Sequence, residues 1–150
     1  MKDKVIGILS GSKVYNSVFE RKFMYLNDII DPIYHEYLIK LERSGHELDL
    51  DVLRPHHQVE NYKEIALVLV TYFEFVMKNP SKGNLVISMT EQHNSLDITP
   101  VRYYITLRDS STILNLEQRE KFSMLGAKVK TRLGFGTTIA IEIHEPYDKI

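Results

Sequence analysis

A chain of 150 residues, 43% hydrophobic and 26% charged, is long enough to bury a core without cross-links, and this composition argues against disorder. Its 19 basic and 20 acidic residues give a net charge of -1, so no positive surplus is present to neutralise the phosphates of nucleic acid. The absence of cysteine excludes disulfides, thiolate nucleophiles and cysteine-based zinc sites.

The N-terminal stretch predicts a short strand and no membrane anchor. Val5 to Leu9 is an apolar run followed by Ser10-Gly11-Ser12, a pattern that favours a strand ending in a turn. The run is too short for the apolar region of a signal peptide and for a helix that spans a bilayer. We therefore expect no membrane partner and a cytoplasmic location.

A long helix is predicted next. Apolar residues recur at helical spacing at positions 19, 23, 26, 30, 33, 37 and 41. Asp31-Pro32 interrupts the pattern and predicts a helix start or kink, because Asp is a good N-cap and Pro is tolerated at the first helical position. Ser44-Gly45 predicts the helix end. The row from 19 to 37 also fits the seam of a homodimer, although a helix packed on its own sheet uses the same stripe.

The remaining segments predict helices packed on a sheet. Asn61 to Met77 is apolar nearly all round, which predicts a central buried helix, and Leu116 to Leu125 predicts a short helix ending at Gly126. Strands are predicted at 46–53, 85–89, 103–107, 128–132 and 137–143, the last two as a closing hairpin. The expected fold class is α+β, a two-layer sandwich of helices on a mixed, mostly antiparallel sheet in a single domain.

Four stretches in this order resemble the histidine kinase-like ATPase domains of the GHKL, or Bergerat-fold, superfamily. They are the first helix running into its strand (26–50), the helix with its exit (65–83), the strand that ends at Asp109 (103–109) and the final hairpin with a Gly-x-Gly-Thr turn (126–143). The likeness implies that family's fold for a core at 26–143. Residues 1–25 would then be an N-terminal extension of strand and helix, and 144–150 a C-terminal tail.

The chain departs from the family where nucleotide and magnesium bind. Thr71 and Phe75 stand where the family has two asparagines or similar polar residues, and a phenylalanine cannot ligate a cation that prefers oxygen. Asp109 corresponds to the family's adenine-binding aspartate, but Ser111 and Ile113 replace the two glycines that follow it. The segment after Asp109 is also too short for the family's lid loop. The resemblance therefore implies a degenerate relative that binds no nucleotide.

Asp109, Gly134, Gly136 and Thr137 are the candidate cofactor-binding residues if ATP or ADP binds. The stretch Gly134-Phe135-Gly136-Thr137 lacks the Lys followed by Ser or Thr of a P-loop. We therefore interpret it as a tight turn that leads into the last strand and not as a phosphate cradle. Asp109 is likewise a common residue type for a turn.

His35 is the candidate phosphoacceptor, because His35-Glu36 is similar to the His-Glu pair of phosphoacceptor helices, in which the imidazole attacks phosphate. A surface histidine is the preferred interpretation, since no second hairpin helix follows before the strand. His56-His57, with His46 and His93 elsewhere, could bind a metal, but adjacent histidines in an extended segment point to opposite sides. We expect no metal site.

The sequence thus predicts a non-catalytic, protein-binding regulatory module, a pseudokinase of bacterial two-component signal transduction that needs no cofactor. Contacts with a protein partner are expected in segments 13–25, 54–60 and 109–116, which lie outside the predicted core. Three alternatives stay open. ATP or ADP could bind at Asp109 and Gly136-Thr137, the chain could be a histidine phosphotransfer protein through His35, or it could be an unrelated α+β domain that binds a small molecule.

Overall fold

A computed structural model describes residues 2–10, 22–51, 56–78, 82–92 and 101–146. The elements in chain order are α1 (Lys2–Ser10), β1 (Met24–Tyr25), α2 (Leu26–Arg43), β2 (His46–Asp51), β3 (Gln58–Val59), α3 (Tyr62–Met77), β4 (Gly83–Gln92), β5 (Arg102–Asp109), α4 (Leu116–Met124), β6 (Lys128–Arg132) and β7 (Gly136–Glu142).

The main sheet has five strands in the order β2-β4-β5-β7-β6. The pair β2–β4 is parallel, and the pairs β4–β5, β5–β7 and β6–β7 are antiparallel. The short strands β1 and β3 form a separate antiparallel pair. Helices packed on this mixed, mostly antiparallel sheet confirm the predicted fold class.

The core lies between the helices and one face of the main sheet. Leu85 and Ile87 of β4 and Ile105 and Leu107 of β5 are all buried there, in the alternation that puts every second side chain on one face. From the other side α3 contributes ten buried residues. The prediction of a central helix that is apolar nearly all round is therefore confirmed.

The N-terminal segment is a helix, so the predicted strand at Val5–Leu9 is wrong. In α1, Val5 and Leu9 lie one turn apart and are both buried in the core shared with α2 and α3. Lys4 of the same helix lies with its Nζ 3.0 Å from Oε1 of Glu74 on α3. A five-residue apolar run fits either a strand or one side of a helix. Contacts with α2 and α3 decide between the two, and these contacts cannot be read from the local sequence.

The helix α2 begins at Leu26, so of the two alternatives predicted at Asp31-Pro32, a helix start or a kink, the helix start is wrong. Pro32 lies inside the helix, where it cannot donate a hydrogen bond to the Asp28 carbonyl. A continuous buried stripe runs past it, consisting of Leu26, Ile29, Ile30, Ile33, Tyr37 and Leu41. Burial of one such side chain is worth about 1.5–3 kcal/mol, so the stripe outweighs the cost of the proline.

The buried stripe of α2 includes most of the residues that were predicted as a possible dimer seam. Its members from Leu26 onward are buried in the chain's own core, as a helix laid on its own domain requires. Position 19 of the seam, segments 13–21 and 54–55 of the predicted contact regions, and His93 lie outside the described residues. A homodimer through any of these segments stays a prediction.

Two buried tyrosines donate their hydroxyls to carboxylates. Tyr37 donates to Oε2 of Glu74 at 2.7 Å, and Tyr72 donates to Oδ2 of Asp109 at 2.5 Å. Burial raises the pKa of both hydroxyls well above the usual value, and the hydrogen bond and negative charge of the partner carboxylate raise it further. Both tyrosines are therefore neutral hydrogen-bond donors at neutral pH.

We predict that the free energy of unfolding falls above about pH 10. Because the folded pKa of each hydroxyl exceeds the unfolded value of about 10, the stabilisation is present below that pH and is lost as the pH rises toward the folded value. With two such groups the slope approaches about 2.7 kcal/mol per pH unit. Urea unfolding at intervals up to about pH 11.5 measures it. A double variant Tyr37→Phe/Tyr72→Phe with the same slope would contradict the assignment.

Candidate functional site

Asp109 ends β5 beneath α3 and is 1% exposed. Its Oδ2 accepts the hydrogen bond from Tyr72, and its Oδ1 accepts from the backbone N–H of Ser111 at 3.0 Å and from the Ser111 hydroxyl at 3.1 Å. Both carboxylate oxygens are therefore bonded inside the protein. Because the carboxylate is also buried, a ligand's amino group can reach it only if the side chains that cover it move.

Aromatic neighbours on two helices hold the Tyr72 ring. The Phe122 ring of α4 lies 5.5 Å from it between centroids, and the Phe75 ring of α3 lies 6.0 Å from it. The hydroxyl is kept in its protonated, donating form by burial and by the Asp109 charge, which together raise its pKa. Tyr72 is thus fixed in position and in protonation state as the partner of Asp109.

Thr137 belongs to the same buried polar group. Its hydroxyl donates to the Thr112 carbonyl at 2.7 Å and lies 2.9 Å from the Thr131 hydroxyl oxygen, which in turn accepts from the Leu114 backbone N–H at 3.2 Å. These bonds attach the segment 111–115 to the β6–β7 hairpin. The segment that follows Asp109 is therefore built into the domain.

Gly136 brings the β6–β7 hairpin directly against the end of β5. It has a φ of 86°, and a Cβ added there would lie 1.9 Å from the Asp109 carbonyl oxygen, so a larger residue does not fit. Gly134 has the same φ, but a Cβ there would meet nothing within 4 Å. The stretch from Gly134 to Thr137 is the turn of the hairpin, and its second glycine allows two backbones to approach.

A cleft of about 720 Å³ lies between α3 and α4. Thr71 and Phe75, the two positions matched to the family's magnesium-binding pair, line one wall. The α4 wall carries Glu117, Glu120 and Lys121, together with apolar side chains. With two carboxylates and one ammonium among its described lining residues, the cleft is an unfavourable environment for a triphosphate.

His35 is exposed on α2 beside Glu36, and phosphoryl transfer through it stays a prediction. Glu36 accepts a hydrogen bond from Lys40 at 2.6 Å, while the His35 ring lies against the Tyr34 ring, 5.6 Å away. The Nε2 atom of His57 contacts Oε1 of Glu145. Within the described ranges no three His, Asp or Glu side chains are grouped to hold a metal ion.

Of the four predicted site residues, Asp109, Gly136 and Thr137 are neighbours in the structure. Gly134 lies apart from them, at the exposed tip of the turn. Tyr72 is the residue that sequence reasoning misses. Its one signal is a hydroxyl on a helix that is apolar nearly all round, where a buried tyrosine needs a hydrogen-bond partner. That signal does not name the partner, which lies 37 residues away.

No protein-family model matches the sequence, and no curated protein matches it. Solved structures match its shape. The catalytic domain of histidine kinase ThkA, in a nucleotide-free form, matches with a TM-score of 0.60 and 16% identity over 83% of this chain and 97% of that one. The chain has the fold of a histidine kinase catalytic domain. The predicted resemblance to the fold of histidine kinase ATPase domains is therefore confirmed.

Two other histidine kinases match the same fold. Acinetobacter baumannii histidine kinase AdeS matches with a TM-score of 0.60 and 10% identity, over 95% of this chain and 74% of that one. A structure of ThkA in complex with the response regulator protein TrrA matches with a TM-score of 0.60 and 15% identity, over 85% of this chain and 42% of that one. In the described ranges of our histidine kinase-like chain, no helix is long and apolar enough to cross a membrane.

We predict that Gly136→Ala destabilises the fold far more than Gly134→Ala. Both substitutions place a side chain in the left-handed region, at a cost of about 1–2 kcal/mol. At Gly136 the clash with the Asp109 carbonyl adds about 1–3 kcal/mol. Urea unfolding of the two variants measures the difference, and equal losses would mean that the hairpin does not need the close approach.

Tyr72→Phe should cost about 1–3 kcal/mol of unfolding free energy, because it leaves a buried carboxylate oxygen without its donor. Tyr34→Phe is the matched control, since the Tyr34 hydroxyl bonds no described residue, and it should change stability by less than about 0.5 kcal/mol. Chemical unfolding of both variants is the measurement. If Tyr72→Phe proved as mild as the control, the Tyr72–Asp109 bond would not hold the site closed.

Proposed function

We propose that this chain is a non-catalytic, protein-binding regulatory module with a histidine kinase-like fold, acting in bacterial two-component signalling. The observation that carries the proposal is the closed carboxylate of Asp109, bonded by Tyr72 and Ser111. In the family that the chain resembles, the corresponding aspartate binds the adenine amino group. Here the carboxylate is buried and already accepts three hydrogen bonds from within the protein.

The α3–α4 cleft supports the same conclusion. Phosphoryl transfer requires a metal ion and basic groups to neutralise the phosphates. Phe75 offers no ligand atom, Thr71 offers one hydroxyl, and the acidic Glu117 and Glu120 outnumber the single Lys121. We therefore assign no bound ATP, ADP or magnesium to this chain.

Exposed apolar side chains at one end of the sheet support a protein partner. Leu133 and Phe135, on the tip of the β6–β7 hairpin, are 87% and 71% exposed. Ile113 is also exposed, in the segment 111–115 bonded to the same hairpin and within the contact region predicted at 109–116. Grouped apolar side chains on a surface are typical of protein contacts. The histidine kinase ThkA has been seen with a response regulator protein, and a protein partner for this chain is the corresponding proposal.

The two alternative functions require changes in the described contacts. Nucleotide binding without magnesium would require the side chains that bury Asp109 to move. Phosphotransfer through His35 would require an acid to orient its imidazole, and Glu36 is bonded to Lys40 instead. A protein-binding function without nucleotide or phosphotransfer requires neither of these rearrangements.

We predict that ATP, ADP and a non-hydrolysable ATP analogue, with or without Mg²⁺, leave the melting temperature unchanged. A ligand present at 100 times its Kd would add about 2.7 kcal/mol to the folded state. For a chain of this size that corresponds to roughly 5–10 °C. A thermal melt monitored by circular dichroism at millimolar nucleotide measures it. A rise of several degrees that disappears in Asp109→Asn would contradict the closed site.

The same preparation separates the phosphotransfer alternative. Incubation with radiolabelled ATP, and separately with a phosphorylated receiver domain, should place no acid-labile phosphate on the chain. Label that is present in the unmodified chain and absent in His35→Ala would establish phosphotransfer instead. His35→Ala alters an exposed helical position, so the variant should keep the melting temperature of the parent.

A further inference from the structure

The face of the main sheet opposite the helices carries one row of charge along each edge. These are an acidic row on β2, consisting of Glu47, Asp49 and Asp51, and a basic row on β6, consisting of Lys128, Lys130 and Arg132. All six side chains are exposed, and they alternate with residues that face the helices. Within the described part of the chain, no carboxylate of the acidic row forms a salt bridge.

The two rows are level with each other across the sheet. Cα partners lead from Asp49 through Val86, Arg108 and Thr138 to Lys130, one residue on each of the five strands. Cα partners likewise lead from Asp51 through Ser88, Thr106 and Ala140 to Lys128. Glu47 and Arg132 lie two residues to the other side of Asp49 and Lys130 on the same strands. Each acidic residue therefore has a basic residue at the same height, four strand spacings or about 19 Å away.

The surface between the rows is centred on β5. β5 has two strands on each side, so the rows are equally distant from it. Val86, Ser88, Thr138 and Ala140 lie half-buried on this surface. Tyr104 and Thr106 of β5 lie buried on it, with Nζ of Lys128 3.5 Å from the Tyr104 hydroxyl. Two sheets pack face to face at about 10 Å, a gap that a lysine and a carboxylate side chain span together.

We propose that this face binds a second copy of the chain about a two-fold axis that runs along β5. Such an axis turns one sheet over the other and exchanges its edges, so β2 of each copy lies opposite β6 of the other. Because the rows are level, each carboxylate then meets a cation, with Asp49 opposite Lys130 in the middle. The proposal rests on the sheet face alone and is independent of the proposed absence of nucleotide.

Charge complementarity selects this arrangement over its rivals. An axis across the strands would place the acidic row on the acidic row, which is repulsive. A different, acidic partner would use the basic row and leave the acidic row without a cation. The face measures about 24 Å by 20 Å, so it contributes on the order of 500 Å² per copy, below the roughly 800 Å² of a standard interface. We therefore expect a weak, reversible dimer.

Arg108 provides a second test of the proposed two-fold axis along β5. It is exposed on β5, so in the dimer its guanidinium lies close to that of the other copy. Removing this charge should relieve a repulsion and strengthen the dimer. If the basic side of the face instead bound an acidic partner, the same change would weaken binding.

Sedimentation velocity of the whole chain, from about 10 to 500 µM at low salt, tests the proposal. We expect a concentration-dependent dimer of twice 17.5 kDa that weakens at high salt, where exposed charges are screened. Asp49→Lys and Lys130→Glu should each weaken association at least tenfold, because symmetry repeats each repulsion twice. An equimolar mixture of the two variants should restore dimers, since opposite charges then meet at both edges. Arg108→Gln should tighten the dimer.

Glu42→Lys is the matched control, with the same charge change as Asp49→Lys but on the exposed side of α2, and it should dimerise like the parent. A chain that stays monomeric throughout the range at low salt would overturn the proposal. So would a dimer that Asp49→Lys and Lys130→Glu leave intact, or a mixture that fails to associate. If the chain stays monomeric and binds heparin in a way that Lys130→Glu abolishes, the face binds an acidic partner and not a second copy.

Discussion

The hydrogen bond from Tyr72 to Asp109 is the interaction on which the rest of this structure depends. It joins the central helix to the end of the central strand, and it satisfies a carboxylate that is 1% exposed. A buried carboxylate without donors would be costly, whereas one with three donors fixes the position of everything around it. The hairpin glycine, the segment after β5 and the helix α4 are all arranged around this pair.

Under the proposed function, this arrangement explains how the fold can persist without a bound nucleotide. The fold needs a polar partner for Asp109, and a side chain can supply that partner as well as a ligand can. Tyr72 does so from a helix that the core already immobilises, with Phe122 and Phe75 against its ring. The cleft that remains lies beside this pair, and Thr71 and Phe75 line one wall of it. Under the proposed function this cleft holds neither nucleotide nor magnesium, since Phe75 offers no oxygen ligand.

The sequence predicts the parts of this fold that depend on local pattern. The central helix, the closing hairpin and the turn at Gly136 follow from periodicity and from residues with restricted backbone roles. The failures are decided by contacts distant in sequence. Val5 and Leu9 form a helix because α2 and α3 bury them, and Pro32 is carried within α2 by the buried stripe on either side. The partner of Asp109 could not be predicted, because no spacing rule connects residues on a helix and a strand that meet only in the folded chain.

The two faces of the sheet are linked by its register. On β5, Asp109 faces the helices while its neighbour Arg108 faces the opposite side, so the pairing that places one also places the other. Gly136 fixes that pairing, because only a residue without a Cβ lets β7 start against the Asp109 carbonyl. A slip of one residue in β6 would turn Lys130 toward the core and break the alignment with Asp49. The close approach that seals the helix-side site is therefore also the constraint that keeps the acidic and basic rows level on the open face.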